Sequence, residues 1–361
     1  MKLALALGRR GHGNTWPNPA VGCVIVQSGR IVGRGWTQPG GRPHAEVVAL
    51  AQAGAKARGA TAYVTLEPCS HHGKTPPCAD ALVAEGVARV VVALGDPDPR
   101  VNGQGIARLR AAGIEVVTGV LEDQARRDQA GFLAKIEQKR PFVTLKLAIS
   151  LDGRIATASG ESQWITGPEA RRHVHALRMR HDAVMVGAGT ARADDPSLNV
   201  RDMGAEHQPV RVVLSRNLDL PEDSNLSRTA SDVPVWLVHG DRAEAARRAY
   251  WQAAGAKLFE VPVSAGQVDV KSALEALAKA GLTRVFCEGG GGLAASLLEA
   301  DLVDELIVFS AGIALGAEGW PALAALGIAR GRHAPARGRG LPRHNAQRLA
   351  RGRGADRGDP T

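Results

Sequence analysis

The chain has 361 residues, 44% of them apolar and 22% charged, with four cysteines and a formal net charge of +9. That length suits two domains, the apolar share suits packed cores, and the few cysteines exclude a disulfide scaffold and point to a reducing cytoplasm. There is no run of ~18 apolar residues, so no membrane span is expected, and most of the excess charge lies in residues 331–361, where eight Arg face two Asp.

In chain order, MKLALALGRRG mimics a leader peptide, but its apolar stretch Leu3 to Leu7 is shorter than the ~7–15 residues such a leader needs and reads as a helix. VGCVIV (21–26) is an apolar run fit for a buried strand, and HAEVVALAQAGAKARG (44–59) has helical spacing and ends in Gly. Strands follow at 61–66, 88–94 and 115–120, with helices at 76–87 and 103–114 between them. This alternation predicts a parallel or mixed sheet covered on both faces.

A helical stretch from Leu121 to Lys139 runs into Lys139-Arg140-Pro141, which marks a domain boundary. A second α/β unit then reads as strands at 141–150, 211–215 and 233–240, with helix then strand over 171–190. Helices at 241–255 and 268–281 follow, then a strand entering a Gly loop at 283–292 and helix then strand over 293–312. The predicted domains are 1–140, 141–330 and a basic tail, 331–361. The tail has no apolar periodicity and is expected to be disordered.

His44-Ala45-Glu46 opens a predicted helix, a strand runs into Glu67-Pro68-Cys69, and Cys78 begins the next helix. One imidazole and two thiolates supply three tetrahedral zinc ligands and leave a fourth position for water. Helix N-termini favour the thiolate form. Glu46 is placed to shuttle protons rather than to bind the ion. His-x-Glu followed by Pro-Cys and a second Cys is the zinc-deaminase pattern. Zinc would make hydroxide available at neutral pH for attack on an amidine-type ring carbon, with Glu46 as general acid and base. His71 and His72 are rival ligands, and two structural cysteines beside an unrelated His are the bland alternative. In the second unit, Glu288 precedes four glycines, Gly289 to Gly292, between strand and helix. Such a turn suits phosphate binding without matching a Rossmann fingerprint.

WPNPAVGCVIV, HAEVVAL, TAYVTLEPCSHHGKTPPCADAL and ARVVVALGDPDPRVNGQG resemble the deaminase half of the bifunctional riboflavin-biosynthesis deaminase/reductase family. LKLAISLDGRIATASGESQWITG, LRMRHDAVMVGAGTARADDPSLNVR and FCEGGGGLAASLLEADLVDELIVF resemble its reductase half. The resemblance covers nearly all of residues 1–330. It implies a three-layer α/β/α domain similar to cytidine deaminase, followed by an α/β domain similar to dihydrofolate reductase. It also implies zinc on His44, Cys69 and Cys78, and proton transfer by Glu46. Asn18, His71 and Lys74 would contact the deaminase substrate, although a turn beside Pro17 and Pro19 also accounts for Asn18.

In the reductase half, the resemblance puts NADPH against Ala148, Trp164, Thr190, Asp194 and the loop Gly290, Gly291, Gly292, Leu293, Ala294, Ala295 and Ser296. Substrate would meet Ser162, Arg178, Leu198, Arg201 and Glu288, with arginines gripping its phosphate. The bland alternatives are a solvated helix face for Arg178, a surface loop for Arg201 and plain core for Trp164. The implied function is deamination of a phosphoribosylated diaminopyrimidine, then hydride transfer to its ribose carbon. The implied assembly is an oligomer of identical chains, with no membrane partner. The other readings are a deaminase-only protein, a zinc-stabilised binding protein, and a nucleic-acid deaminase. The long Cys69–Cys78 spacing and the fused second unit argue against nucleic acid. Two features depart from the family. Ser215 stands where Asp is expected, which leaves a cofactor contact there or at Arg216 unsupported. After PALAALGIA the chain turns to Arg, Gly, Ala and Pro, which reads as a shift of reading frame rather than a tail for an anionic partner. On that reading the reductase sheet loses an edge strand.

Overall fold

The computed structural model describes residues 1–73, 76–162 and 165–326. Lys74, Trp164 and the tail 331–361 lie outside the described residues. The first sheet has five strands: β1 Gly22–Gln27, β2 Arg30–Trp36, β3 Thr61–Val64, β4 Arg89–Val92 and β5 Glu115–Thr118, in the order β2-β1-β3-β4-β5. β1 is antiparallel to β2 and β3, while β3, β4 and β5 run parallel, so the sheet is mixed as expected.

Side chains alternate across a strand, and β1 uses both faces. Cys23 and Ile25 join a core with Ala45, Ala49 and Leu50 of α2 (Ala45–Ala53) and Ala79 and Leu82 of α3 (Cys78–Ala84). Val24 points the other way, against Ala4 and Leu7 of α1 (Lys2–Gly8). Three layers result. α2 lies so close to β2 that a Cβ at Gly33 would stand 2.2 Å from the Ala49 carbonyl oxygen, and one at Gly35 would stand 2.1 Å from that of Ala45. Those two glycines set the depth of the helix that begins at His44. The predicted helix over 44–59 ends sooner as α-helix, at Ala53, and continues as a 3₁₀ turn to Ala57. After α4 (Gln104–Ala111), the stretch α5 (Glu122–Asp128) and α6 (Ala130–Leu133) leads into the second unit.

The second sheet holds β6 Phe142–Ile149, β8 Ala183–Gly187, β9 Val210–Leu214, β10 Val235–His239, β11 Lys257–Glu260, β14 Arg284–Cys287 and β15 Glu305–Ser310. Short β7 (Arg154–Ala156) pairs with β16 (Trp320–Pro321), and β12 (Val263–Ser264) with β13 (Gln267–Val268). The seven strands are all parallel, in the order β11-β10-β9-β8-β14-β6-β15. Such sheets are buried on both faces. Here α11 (Val270–Lys279) and α12 (Gly291–Glu299) cover one face. Trp251 of α10 (Ala245–Ala253) and Leu226 of α9 (Asn225–Arg228) cover the other. Helices α7 (Pro168–Arg178) and α8 (Ala188–Asp194) complete the set.

Both sheets belong to one compact unit, Met1–Ala324. Trp16 meets Trp236 edge-on at 5.9 Å, and the Arg284 guanidinium donates to the carbonyl oxygens of Arg127 (3.2 Å) and Asp128 (2.9 Å). Among the described residues no helix is long and apolar enough to cross a membrane.

Candidate metal centre and a second candidate site

His44 sits immediately before α2, Cys78 is the first residue of α3, and Cys69 lies in the segment after β3. Their ligand atoms all fall within 4.8 Å of one another. His44 Nδ1 is 3.3 Å from Cys78 Sγ and 3.6 Å from Cys69 Sγ. An ion ~2.3 Å from sulfur and ~2.0–2.1 Å from nitrogen at tetrahedral angles separates the two atoms by about 3.6 Å. The donor set therefore fits zinc in both chemistry and spacing. The Cys78 backbone N–H donates to Cys69 Sγ at 3.3 Å. A hydrogen bond from the Cys78 side chain, then those from His44 and the Cys78 backbone, pull the Cys69 thiol down to about 4 despite its burial. The Cys78 thiol is pushed up by its bond to Cys69 and by burial.

Glu46 is 3% exposed, in the first turn of α2. Burial, reinforced by the Cys69 charge, lifts its carboxyl to about 7. A carboxyl that gains and loses a proton near neutral pH is what a general acid and base requires.

Sequence reasoning passed over the residue that fixes this loop, Glu67. Its carboxylate is buried, and Oε1 accepts from the backbone N–H of Gly105 (3.0 Å) and Ile106 (3.2 Å). Oε2 accepts from Gly103 (3.0 Å) and Asp96 (3.3 Å). Glu67 thus ties the Cys69 loop to the start of α4. Its signal was a carboxylate two residues from a ligand, in a stretch otherwise apolar. The Ser70 hydroxyl adds a bond to the Arg100 carbonyl.

Of the expected substrate contacts, Asn18 donates through Nδ2 to the Gly41 carbonyl at 2.8 Å, on the loop leading to His44. This bond gives it a structural task on the approach to the site. His71 Nδ1 is buried without a hydrogen-bond partner, and neither His71 nor His72 joins the ligand group. Lys74 is outside the described residues.

The residues expected to form the second site gather where the carboxyl ends of β6, β8 and β14 come side by side, the usual ligand edge of a parallel sheet. β8 turns into α8 at Gly187 and β14 turns into α12 at Gly290. The two turns meet where the Gly290 N–H donates to Thr190 Oγ1 at 2.9 Å. A Cβ at Gly289 would crowd Gly187 N at 3.1 Å and Val186 Cα at 3.3 Å, whereas nothing stands within 4 Å of one at Gly292. The loop is pinned on one side and open on the other. Leu293 packs against the core, Ala294 and Ala295 are buried in it, and Ser296 Oγ donates to the Gly292 carbonyl at 3.2 Å. Burial raises the Asp194 carboxyl. Ala148, near the end of β6, and Ser162 are half-buried. Trp164 is outside the described residues.

Arg178 and Glu288 meet directly. Nε is 2.5 Å from Oε1 and Nη2 is 3.1 Å from Oε2, with only 13% and 11% of the two side chains exposed. The bidentate partner of Arg178 is thus a carboxylate of its own chain, while Arg201 is exposed. Lys146 is half-buried beside this pair; desolvation lowers its ammonium pKa, against the pull of Glu288. Buried Leu198 begins the loop that carries Arg201. Ser215 is buried and donates to Asp219 at 3.0 Å, and Arg216 donates to the Gly266 carbonyl at 2.6 Å, so both serve local structure.

Comparison with known proteins follows the same division. A family model described as the cytidine and deoxycytidylate deaminase zinc-binding region matches residues 1–94, and the RibD C-terminal domain matches residues 141–330. The riboflavin biosynthesis protein RibD of Escherichia coli is 44% identical over 339 residues, covering 88% of each chain. That of Aquifex aeolicus is 44% identical over 313 residues, covering 86% of this chain and 85% of the other. Among solved structures, Acinetobacter baumannii RibD (form 1) has a TM-score of 0.81 at 42% identity, covering 90% of this chain and 89% of the other. A diaminohydroxyphosphoribosylaminopyrimidine deaminase/5-amino-6-(5-phosphoribosylamino)uracil reductase from Thermotoga maritima has a TM-score of 0.78 at 35% identity, covering 91% of each chain.

Proposed function

The chain belongs to the RibD family of riboflavin-biosynthesis proteins, and from that premise we propose which of its residues perform the family's two reactions. The protein is a bifunctional enzyme, a zinc-dependent deaminase and an NADPH-dependent reductase. Its substrate is 2,5-diamino-6-(5-phosphoribosylamino)pyrimidin-4-one, which loses its ring amine as ammonia; its ribosyl group is then reduced to ribityl. The division is 1–140 for deamination and 141–330 for reduction.

His44, Cys69 and Cys78 hold the zinc. Bound there, the ion supplies a hydroxide nucleophile at neutral pH. Glu46 takes the water's first proton on its carboxylate and passes it to the ring nitrogen, then takes the second from the hydroxyl now on the ring carbon and delivers it to the amine, which leaves as ammonia as the carbonyl forms. Asn18, His71 and Lys74 orient the pyrimidine and its phosphate. The carrying observation is the convergence of one imidazole and two sulfurs within 4.8 Å, with buried Glu46 two residues after the histidine.

In the second half, NADPH supplies the hydride. Thr190, Asp194, Ala148, Trp164 and the segment Gly290–Ser296 would seat it, the N-terminus of α12, which no side chain caps, suiting a phosphate. Arg178 and Glu288 act as one unit: the guanidinium fixes the carboxylate and keeps donors for substrate. Ser162, Leu198 and Arg201 complete the pocket. The deciding experiment measures ammonia release from the diaminopyrimidine and NADPH oxidation with the deaminated intermediate on one preparation. Absence of ammonia release sinks the first assignment, and absence of NADPH oxidation the second.

Identical chains associate, and the cytoplasm is where they work. Among the described residues β15 is an edge strand that leaves Leu306 (51%) and Val308 (44%) exposed on one face, and large uncovered apolar side chains of this kind mark contact surfaces. Sedimentation at micromolar concentration tests this, and a monomer refutes it.

A further inference from the structure

The loop Leu198–Asp202 has no regular structure, and both ends lie in the left-handed region, at φ 52° for Leu198 and 56° for Asp202. Such backbone is strained for these residue types and stays bent only where its surroundings hold it. Three side chains do so. Arg178 Nη1 donates to the Asn199 carbonyl at 2.7 Å. Gln208 accepts from the Val200 N–H at 2.7 Å and donates to the Val200 carbonyl at 3.1 Å. His175 Nδ1 accepts the Arg201 N–H at 3.2 Å. Four successive backbone polar groups are thus fixed by side chains from outside the loop. His175 and Arg178 stand three residues apart on α7 and so share one helix face.

We propose that His175 is a positioning residue of the reductase: its neutral ring holds the backbone of Arg201 so that the guanidinium meets the substrate phosphate. The proposal rests on Arg201 being a phosphate contact. Only an unprotonated Nδ1 can accept the bond, so the other ring nitrogen carries the hydrogen. The charged groups facing the ring are Arg178 on its own helix, Arg201 and Asp202 on the loop, and Glu288 beyond β14. Burial first, then the two arginines, lower the imidazole pKa against the two carboxylates. The acceptor is therefore present at neutral pH and is lost as pH falls through a value below the ordinary histidine range. A protonated ring would also face both guanidinium groups, and the loop would loosen.

The test uses the full chain and 5-amino-6-(5-phosphoribosylamino)uracil, with KM from NADPH oxidation and Kd by calorimetry as a readout independent of turnover. Arg201→Ala raises both roughly tenfold or more, the cost of a lost charge-assisted bond. His175→Ala raises both roughly three- to tenfold at pH 7.5, the cost of a disordered loop, with kcat and ammonia release unchanged. His175→Asn places an amide oxygen where Nδ1 stood and restores wild-type values. Because the substrate phosphate itself titrates near pH ~6, the acid readout is the ratio of wild-type to H175N values. That ratio rises as pH falls below the ordinary histidine value. Wild-type affinity in H175A, or failure of H175N to restore it, overturns the role of His175. Wild-type affinity in R201A overturns instead the reading of the phosphate contact on which it rests.

Discussion

The metal centre and the reductase cleft are both built at strand ends, beside the first turns of helices, yet they carry their chemistry differently. The centre concentrates it in side chains that nothing else replaces: one imidazole, two sulfurs and one buried carboxyl, all between His44 and Cys78. The cleft proposed for reduction would draw on segments from Lys146 to Ser296 and use common residues and bare backbone: an Arg–Glu pair, a threonine hydroxyl, a row of glycines. A site of the first kind fails abruptly when one atom is changed. A site of the second kind is held by many partial constraints and degrades in steps.

The sharpest way to separate the two is to remove a sulfur. Cys69→Ser should lose the zinc, measured by metal analysis, and lower ammonia release by more than about 10³-fold. NADPH oxidation with the deaminated intermediate should stay within twofold, roughly the scatter expected for an uncoupled site; a parallel loss would show that the halves depend on one another. Glu46→Gln tests the carboxyl alone. It should keep one equivalent of zinc and lose on the order of 10²–10⁴-fold in deamination, the usual worth of a general acid and base. Unchanged turnover would remove Glu46 from the mechanism. In the cleft, Glu288→Gln strands the Arg178 guanidinium in a site that is nearly closed to water. Breaking a buried pair from one side costs about 3–5 kcal/mol, read as a lower urea midpoint together with lost NADPH oxidation and intact ammonia release. A midpoint equal to wild type would mean that water already relieves the pair.

The same contrast explains what could be read from the chain. The gathering of His44, Cys69 and Cys78 beside a buried Glu46 was legible because such chemistry is intrinsic to residue type and spacing. Most strands and helices were legible because apolar periodicity reports burial directly. β2 was not, since its segment RIVGRGW has Gly33 and Gly35 where a strand should carry side chains. Those glycines exist for α2, a neighbour that no local pattern reveals. β11 was missed because KLFE is only four residues long, and α8 because AGTARAD follows its strand without an interval. Arg178 was expected to grip phosphate, and its meeting with Glu288 joins residues 110 apart. Glu67, His175 and Gln208 act on backbone groups of distant loops, and only folding shows which.

The smallest effect lies in the loop that Glu67 anchors. Asp96 is 8% exposed, and its Oδ1 accepts the Asp98 N–H at 2.8 Å. Burial pushes its carboxyl up to about 7; the Asp98 and Glu67 carboxylates add to this and the Asp98 N–H opposes it. Unfolded, the same group ionises near ~3.9. Below that value both states are protonated and Asp96 is neutral in its effect. As pH rises, the unfolded chain loses its proton first, so stability declines until the folded carboxyl also ionises, and the deficit then stays constant. Asp96→Asn keeps an oxygen for the Asp98 N–H and cannot ionise. It should therefore stabilise the protein at pH 8 by about 1–3 kcal/mol, with a smaller gain at pH 5.5, measured by urea unfolding of the zinc-loaded chain. An equal gain at both values would trace the effect to packing and leave the buried charge without consequence. Cys69, on the neighbouring loop that Glu67 ties to this one but governed by its bonds to Cys78 and His44, should keep its zinc in this variant, which separates loop stability from metal chemistry within a single half of the molecule.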